Sequence, residues 1–355
     1  PSASAGWRIS EEAFMEPVKE VISNLKLRAS YGFTGNTEIG VYESLATLGT
    51  SNWILGNQLV SGFFPNKIPN PDLKWERTGQ FDIGLDLGLF NNRLRITTDY
   101  YKKKTTDLLY SVAVPATSGY QTMLKNIGSI ENQGYELSIE SDNLTGAFSW
   151  TTAFNIAFNR NKVLELGGEE YKEMAEGDGH LKTGSVRRLI VGEPIGVFYG
   201  YRFDGIFQNE EECKQQTSSA SPIGVGLRRY KDLNGDGKVD AANDREILGD
   251  ANPKFFGGLT NTFAYKGFEL NVFLQYSYGN KILNYNAMEL ENPTGGQNAY
   301  ADMVNRWTPE NPSNIYPKAT TNRALLVSDR FIEDGSYLKL KTLSLSYSFP
   351  KINLK

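Results

Sequence analysis

The stretch Phe81-Asp82-Ile83-Gly84-Leu85-Asp86-Leu87 alternates residue by residue between apolar positions and polar or glycine ones. Successive side chains on a strand point to opposite faces, so this pattern predicts a strand with one apolar and one polar side. The same period of two continues outward from it. Leu94, Ile96, Thr98 and Tyr100 oppose Arg93, Arg95, Thr97 and Asp99, and Tyr135, Leu137 and Ile139 oppose Glu136, Ser138 and Glu140. Phe148, Trp150, Phe154, Ile156 and Phe158 oppose Ser149, Thr151, Asn155 and Asn159. Phe268, Leu270, Val272, Leu274 and Tyr276 oppose Glu269, Asn271 and Gln275. About nine such strands are legible, several of about 9–13 residues against a usual mode of about 5–6.

The connections between them alternate in length. Phe90-Asn91-Asn92, Asp142 to Gly146 and Tyr265-Lys266-Gly267 are brief, whereas residues 35–74, 161–253 and 280–330 form long excursions. Soluble domains rarely carry connections above about 12–15 residues. Short turns on one side, long loops on the other and apolar-out, polar-in strands are the marks of an outer-membrane barrel. The physical reason is that lipid leaves no solvent for unpaired backbone groups, so only helices or closed sheets can span it. Several apolar faces end in Tyr100, Phe148, Tyr276 or Tyr347, as interfacial aromatic girdles would. The expected fold is therefore all-β: a fragment of a transmembrane antiparallel β-barrel with long extracellular loops. A soluble β-sandwich with the apolar face as its core is the competing architecture. The odd strand count, the strand-like sequence at both ends (Trp7-Arg8-Ile9 and Leu343 to Phe349) and the lack of a signal peptide at Pro1 lead to the expectation of a piece of a larger barrel.

Composition narrows the function. The 355 residues hold 35 Gly, 19 Tyr, 19 Phe and 5 Trp. Mean hydropathy is −0.42, and no run approaches the roughly 18 apolar residues of a membrane helix. A single cysteine, Cys213, excludes a disulfide framework and a cysteine-ligated metal cluster, and a single histidine, His180, leaves little room for a histidine-dependent centre. Net charge of −4 argues against a nucleic-acid partner.

Asp232-Leu233-Asn234-Gly235-Asp236-Gly237-Lys238-Val239-Asp240 has the alternating oxygen donors and the turn glycine of an EF-hand-like calcium loop. Asp232, Asn234 and Asp236 would offer side chains, Lys238 its carbonyl and Asp240 a direct or water-mediated contact. The closing acid, Asp244, falls one residue late for the standard loop. An Asp/Asn/Gly turn without metal is the alternative, and calcium is favoured over it because Asp232, Asp236 and Asp240 repel one another without a cation. The acidic runs Glu169/Glu170 and Glu210/Glu211/Glu212 sit beside Lys and Gly and are expected to be solvated rather than a glycosidase pair. Cys213 has no visible partner base. Aromatic residues in the long connections (Trp53, Phe63, Phe64, Tyr199, Tyr201 and Tyr285 above all, with Tyr171, Phe198, Tyr300 and Trp307) are candidate contacts for a sugar ring or a peptide side chain. Packing among the loops would use them equally well.

The order of motifs resembles the C-terminal half of the SusC/RagA family, the TonB-dependent outer-membrane transporters of Bacteroidetes. The likeness is carried by residues 4–10 (Ser-Ala-Gly-Trp-Arg-Ile-Ser), 25–36 (from Leu25 through Ala29-Ser30-Tyr31-Gly32 to Asn36) and 68–76 (Ile-Pro-Asn-Pro-Asp-Leu-Lys-Trp-Glu). It continues through Gly84-Leu85-Asp86, Asp99-Tyr100-Tyr101, Thr106-Asp107-Leu108-Leu109, Asn126-Ile127-Gly128-Ser129-Ile130, Asn132-Gln133-Gly134-Tyr135-Glu136 and the Asp232 to Gly237 turn. The resemblance implies a barrel of about 22 strands closed by an N-terminal plug. It also implies a SusD-like surface lipoprotein over the lumen, energy from TonB acting through an N-terminal part that this sequence lacks, and import of oligosaccharides or oligopeptides without covalent chemistry. A calcium-stabilised secreted glycan-binding sandwich and an all-β glycoside hydrolase are the alternatives.

Overall fold

The computed structural model describes residues 1–36, 40–120, 122–174, 185–292, 298–321 and 325–349. Nine strands make one sheet and neighbour each other in chain order: β1 (Ser2–Arg8), β2 (Ile22–Asn36), β3 (Glu76–Leu89), β4 (Leu94–Thr106), β5 (Ser129–Thr145), β6 (Phe148–Glu165), β7 (Phe255–Tyr265), β8 (Phe268–Tyr278) and β9 (Tyr337–Tyr347). The pairings from β1 to β6 are antiparallel throughout.

Register explains why the alternation is so regular. Leu25, Leu87, Ile96, Ile139 and Phe154 stand side by side across five strands, followed by the row Leu27, Leu85, Thr98, Leu137 and Ile156. The next row is Ala29, Ile83, Tyr100, Tyr135 and Phe158, in which Tyr100 and Tyr135 lie 4.8 Å apart. Beyond it the same face turns charged: Lys102, Gln133 and Arg160 form the next row, then Lys104, Glu131 and Lys162, with Lys102 and Glu131 ion-paired at 3.1 Å. At the other end of the face the rings of Phe148, Trp150, Phe263 and Tyr265 lie together, and Phe268 meets Tyr347. Phe148 to Phe158 is ten strand steps, about 33 Å of chain, or about 25 Å of height at the usual strand tilt. That is the height of a lipid-facing band, rimmed by aromatics at both ends. Its side chains stay open to the surroundings: Ile83 is 39% exposed, Tyr135 59% and Leu345 69%. A sandwich would have buried this face, so the competing architecture fails.

The short connections are tight where expected. Lys266 and Gly267 both have positive φ, 47° and 87°, the pair of left-handed residues that a two-residue hairpin requires. A Cβ on Gly267 would stand 2.9 Å from the Ser348 carbonyl oxygen, so glycine is needed twice over. The second short turn lies later than the sequence indicated: β5 runs to Thr145, only Gly146 and Ala147 intervene, and a bulge between Trp150 and Thr151 absorbs the irregularity. β6 continues to Glu165, past the expected loop start, and β9 begins at Tyr337.

The chain divides into two compact units. The first comprises Pro1–Glu170, Leu259–Phe273 and the chain from Thr342 onward; the second comprises Tyr171–Gly258 and Leu274–Lys341. The long connections carry strands of their own, which the sequence reading took as loop. In the first unit, Thr47–Leu55 pairs with Gln58–Lys67 and Leu109–Ala113 with Thr122–Asn126. In the second, Tyr171–Glu173, Arg187–Ile190, Val197–Tyr201 and Arg245–Gly249 form a four-stranded sheet, beside the pair Phe203–Ile206 and Arg228–Tyr230. Two short helices, α1 (Glu210–Lys214) and α2 (Tyr285–Leu290), complete it. Most of the well-buried apolar residues gather in this second unit: Val186, Phe198, Ala287, Met288, Leu325, Val327 and Phe331 form one cluster, Tyr201, Tyr230 and Val239 another.

Candidate functional site

The polar side of the sheet is a bonded lattice of charges. Arg28 reaches across two strands, with Nε 2.9 Å and Nη2 3.0 Å from the carboxylate of Asp86 and Nη2 2.9 Å from Asp99. Gly84, directly opposite Arg28 in register, makes room for this: a Cβ there would lie 2.2 Å from Asp99 Oδ1 and 2.7 Å from Arg28 Nη2. Ser30 and Gln80 donate to Asp82, and Arg95 pairs with Glu140 at 3.0 Å and Asp142 at 3.2 Å. Tyr101 folds over Gly134 and donates to Asn159 at 3.0 Å. Charges of both signs, half exposed and mutually paired, suit a face that looks onto water. Nothing in it resembles a nucleophile with its base.

The aromatic candidates separate into two groups. On the Thr47–Lys67 hairpin, Trp53 (61%), Phe63 (73%) and Phe64 (42%) are exposed. Trp53 and Phe64 each lie over a cross-strand glycine, Gly62 and Gly49, on one side of the hairpin, and Phe63 points to the other. These three are available to a partner or ligand. The second group is in the loop body and is mostly packed. Tyr201 is 5% exposed, its ring 5.7 Å from that of Tyr230, and Tyr285 packs against the Met288 cluster. Phe198 belongs to that same cluster. For Tyr201 and Phe198 the structure corrects the expectation of substrate contact, since strand geometry turns their rings into the unit's own core; Tyr285 is only partly buried. Trp307 donates from Nε1 to Gln208 at 3.0 Å and covers Gly226.

Tyr199 lies between these cases. Its ring and that of Tyr171 hold the buried Arg188 guanidinium between them, at 3.7 and 4.0 Å from the ring centroids. Glu173 accepts from Arg188 and from Arg245, and Tyr199 donates to the Arg245 carbonyl at 2.9 Å. Arg188 was not legible as a partner of these tyrosines, because the pairing arises only when separate strands align.

The Asp232–Asp244 segment is a network of side-chain-to-backbone bonds. Asp232 accepts from Gly235 and Gly237, both at 2.7 Å, while Asn234 and Asp236 accept from the second residue onward. Asp240 caps Ala242 and Asn243 and pairs with Lys238 at 3.2 Å. Asp244 is fully buried and accepts from Leu233 at 2.8 Å and Asp240 at 2.7 Å. Among the described residues no three acids converge on one point. The late position of Asp244 thereby has a structural explanation, since it holds both ends of the turn together.

The acidic run at Glu210–Glu212 is the first turn of α1, capped by Asn209, whose side chain accepts from Glu212 at 2.9 Å. Burial, then the charges of Glu210 and Glu212, push the Cys213 thiol up from its ordinary range, the opposite of an activated nucleophile. His180 lies outside the described residues.

Comparison with known proteins gives a consistent result. Residues 1–179 match the family model described as TonB dependent receptor-like, beta-barrel. TonB-dependent receptor P3 of Formosa agariphila is 39% identical over 352 residues, covering 99% of this chain and 35% of the relative. TonB-dependent receptor SusC of Bacteroides thetaiotaomicron is 30% identical over 367 residues, with 99% and 34% covered. A solved structure of the RagAB peptide transporter superposes with a TM-score of 0.79 at 27% identity, covering 98% of this chain and 37% of that one. The chain thus spans about a third of the length of these relatives.

Proposed function

Because the chain belongs to the TonB dependent receptor-like, beta-barrel family, an outer-membrane family of receptors and transporters rather than enzymes, we propose that it is the wall and external loops of a SusC-like nutrient importer. The observation that carries this reading is the five-strand register, with a lipid-height apolar band on one face and a bonded polar lattice on the other. Such a wall separates lipid from a water-filled lumen, and the long loops gather where cargo arrives. A large nutrient binds among the loops, a SusD-like surface lipoprotein helps retain it, and TonB supplies the energy through a plug. The cargo is an oligosaccharide or an oligopeptide. Peptide is supported by a RagAB peptide transporter as a structural neighbour, and oligosaccharide by the family resemblance of the sequence motifs. The test is growth of a strain lacking the gene on defined oligosaccharides and oligopeptides as sole nutrient. The deletion should abolish growth on one class, and loss of TonB should do the same. Uptake that persists without TonB would overturn the proposal.

A calcium ion at Asp232, Asn234, Asp236, Lys238, Asp240 and Asp244 is a separate proposal, supported by donor spacing alone. Loading would require the carboxylates of Asp232 and Asp236 to exchange backbone N–H groups for the ion. Calorimetry on the full-length receptor at millimolar calcium, with and without Asp236→Asn, decides it: no heat at the wild-type turn removes the metal.

A further inference from the structure

Arg228 is a buried cation with an unused donor. It sits on the strand Arg228–Tyr230, opposite Ile206, and is 9% exposed. Its Nη2 donates to the Glu291 carbonyl at 3.1 Å, and its Cζ lies 5.6 Å from the Phe331 ring centroid. Its Nε has no hydrogen-bond partner. The carboxylate of Glu291 itself is engaged by Arg330 through Nε at 3.1 Å and Nη2 at 3.0 Å. Among the described residues no carboxylate is ion-paired with Arg228, which leaves its buried positive charge without a direct counter-charge. A desolvated charge without a counter-charge is costly. Burial pulls the Arg228 guanidinium below its ordinary range, opposed by Tyr230 and Glu291 and reinforced by Arg330.

The same side chain lines a cavity of about 40 Å³, whose other walls include Ser221, Asn292, Pro222, Leu227 and Leu325. By the measure in which one water needs about 10–15 Å³, the space takes a group of about three heavy atoms. Among the lining residues the Ser221 hydroxyl, the Asn292 amide and the Arg228 guanidinium can donate, while Pro222, Leu227 and Leu325 supply apolar wall. A bare inorganic anion would leave the apolar wall unused, and a doubly charged phosphate would overshoot the single positive charge. We propose that this cavity is a binding site for one organic carboxylate, with Arg228 as its counter-charge. The inference stands on the residues of the loop body and holds whichever cargo the receptor carries. A carboxylate of this kind could belong to an acidic sugar or to the end of a peptide.

The test uses the full-length receptor in detergent at constant ionic strength, with sodium acetate as the probe and acetamide as its neutral counterpart. Acetate should bind by calorimetry and raise the thermal midpoint, and acetamide should do neither. Arg228→Gln should weaken acetate about tenfold or more, the value of one charge-assisted hydrogen bond. Should that variant misfold, Ser221→Ala, which keeps the cation, should weaken acetate by a smaller factor. Glucuronate and N-acetylglycine then distinguish the two sources of carboxylate, and tighter binding of either supports the site. Acetate behaving as acetamide does, a midpoint rise reproduced by sodium chloride, or density in the cavity that refines as water alone in the presence of acetate would each overturn it.

Discussion

An arginine placed at Ile139 and one placed at Ser138 should have opposite fates, although the two residues are chain neighbours. Ile139 pairs with Ile96 on one side and Phe154 on the other. Phe154 lies six steps from Phe148 and four from Phe158, about 20 and 13 Å of strand, so this row is near the middle of the apolar band. An arginine on the lipid side at that depth costs about 2–4 kcal/mol, a roughly 30- to 1,000-fold shift toward the unfolded receptor. Ser138 stands between Thr97 and Asn155 on the polar face, where a surface-like substitution should stay within about 0.5 kcal/mol. The assay is urea unfolding of the full-length receptor in lipid vesicles, with heat-modifiable gel mobility as the measure of folded fraction. If Ile139→Arg is as stable as Ser138→Arg, or the order reverses, the apolar band does not face lipid and the reasoning fails.

Gly84→Val should destabilise the wall by about 1–3 kcal/mol through overpacking, because the new side chain occupies the space between Arg28 and Asp99; an unchanged unfolding midpoint would mean that the bridge does not form. Asp244→Ala strands two N–H groups, those of Leu233 and Asp240, at about 1–3 kcal/mol each. Limited proteolysis should then cut between residues 232 and 244, and Asp244→Asn should be cut less; resistance in the alanine variant would count against the capping role. For Glu173, burial opposes ionisation, but the hydrogen bond and charge of Arg188, with Ser185 and Arg245, outweigh it and hold the carboxyl below its ordinary 4.5. A depressed folded pKa gives stability that is complete above about 4.5 and lost as pH falls through the folded value. Protease resistance of the loop body should therefore hold from pH 6 to about 4.5 and decline below that toward pH 3, and Glu173→Gln should flatten that profile; an unaltered profile in the variant would exclude Glu173 as the titrating group.

The wall was legible because a single physical demand acts on every second residue of its strands. Phe81 to Leu87 keeps strict alternation, as lipid on one side and water on the other permit nothing else. The turn at Lys266-Gly267 was legible for a comparable reason, namely that few residue pairs tolerate two positive φ angles. The loop body was not. Its strands are as short as Thr217–Ser218 or Lys238–Val239, too few residues to establish a period. Tyr201 there and Trp53 on the Thr47–Leu55 strand look alike in sequence, yet one is core and the other exposed. Arg228 was hidden for the same reason: an unpaired buried charge is a property of what fails to arrive in space, and no local spacing encodes it.

Among the described residues the minor ribbons outside the wall draw both partners from a single excursion of the chain, as Thr47–Leu55 with Gln58–Lys67, Leu109–Ala113 with Thr122–Asn126 and Lys281–Leu283 with Ile332–Asp334 do; one isolated bridge, Tyr201 to Ser328, joins two excursions. The first two inserts therefore carry ladders of their own, while the two later excursions share one core in which Val186 and Phe198 meet Met288, Leu325 and Phe331. An evolving lineage can lengthen, shorten or exchange one such insert while the nine-strand chassis keeps its alignment, so new outward surfaces become reachable without rebuilding the wall.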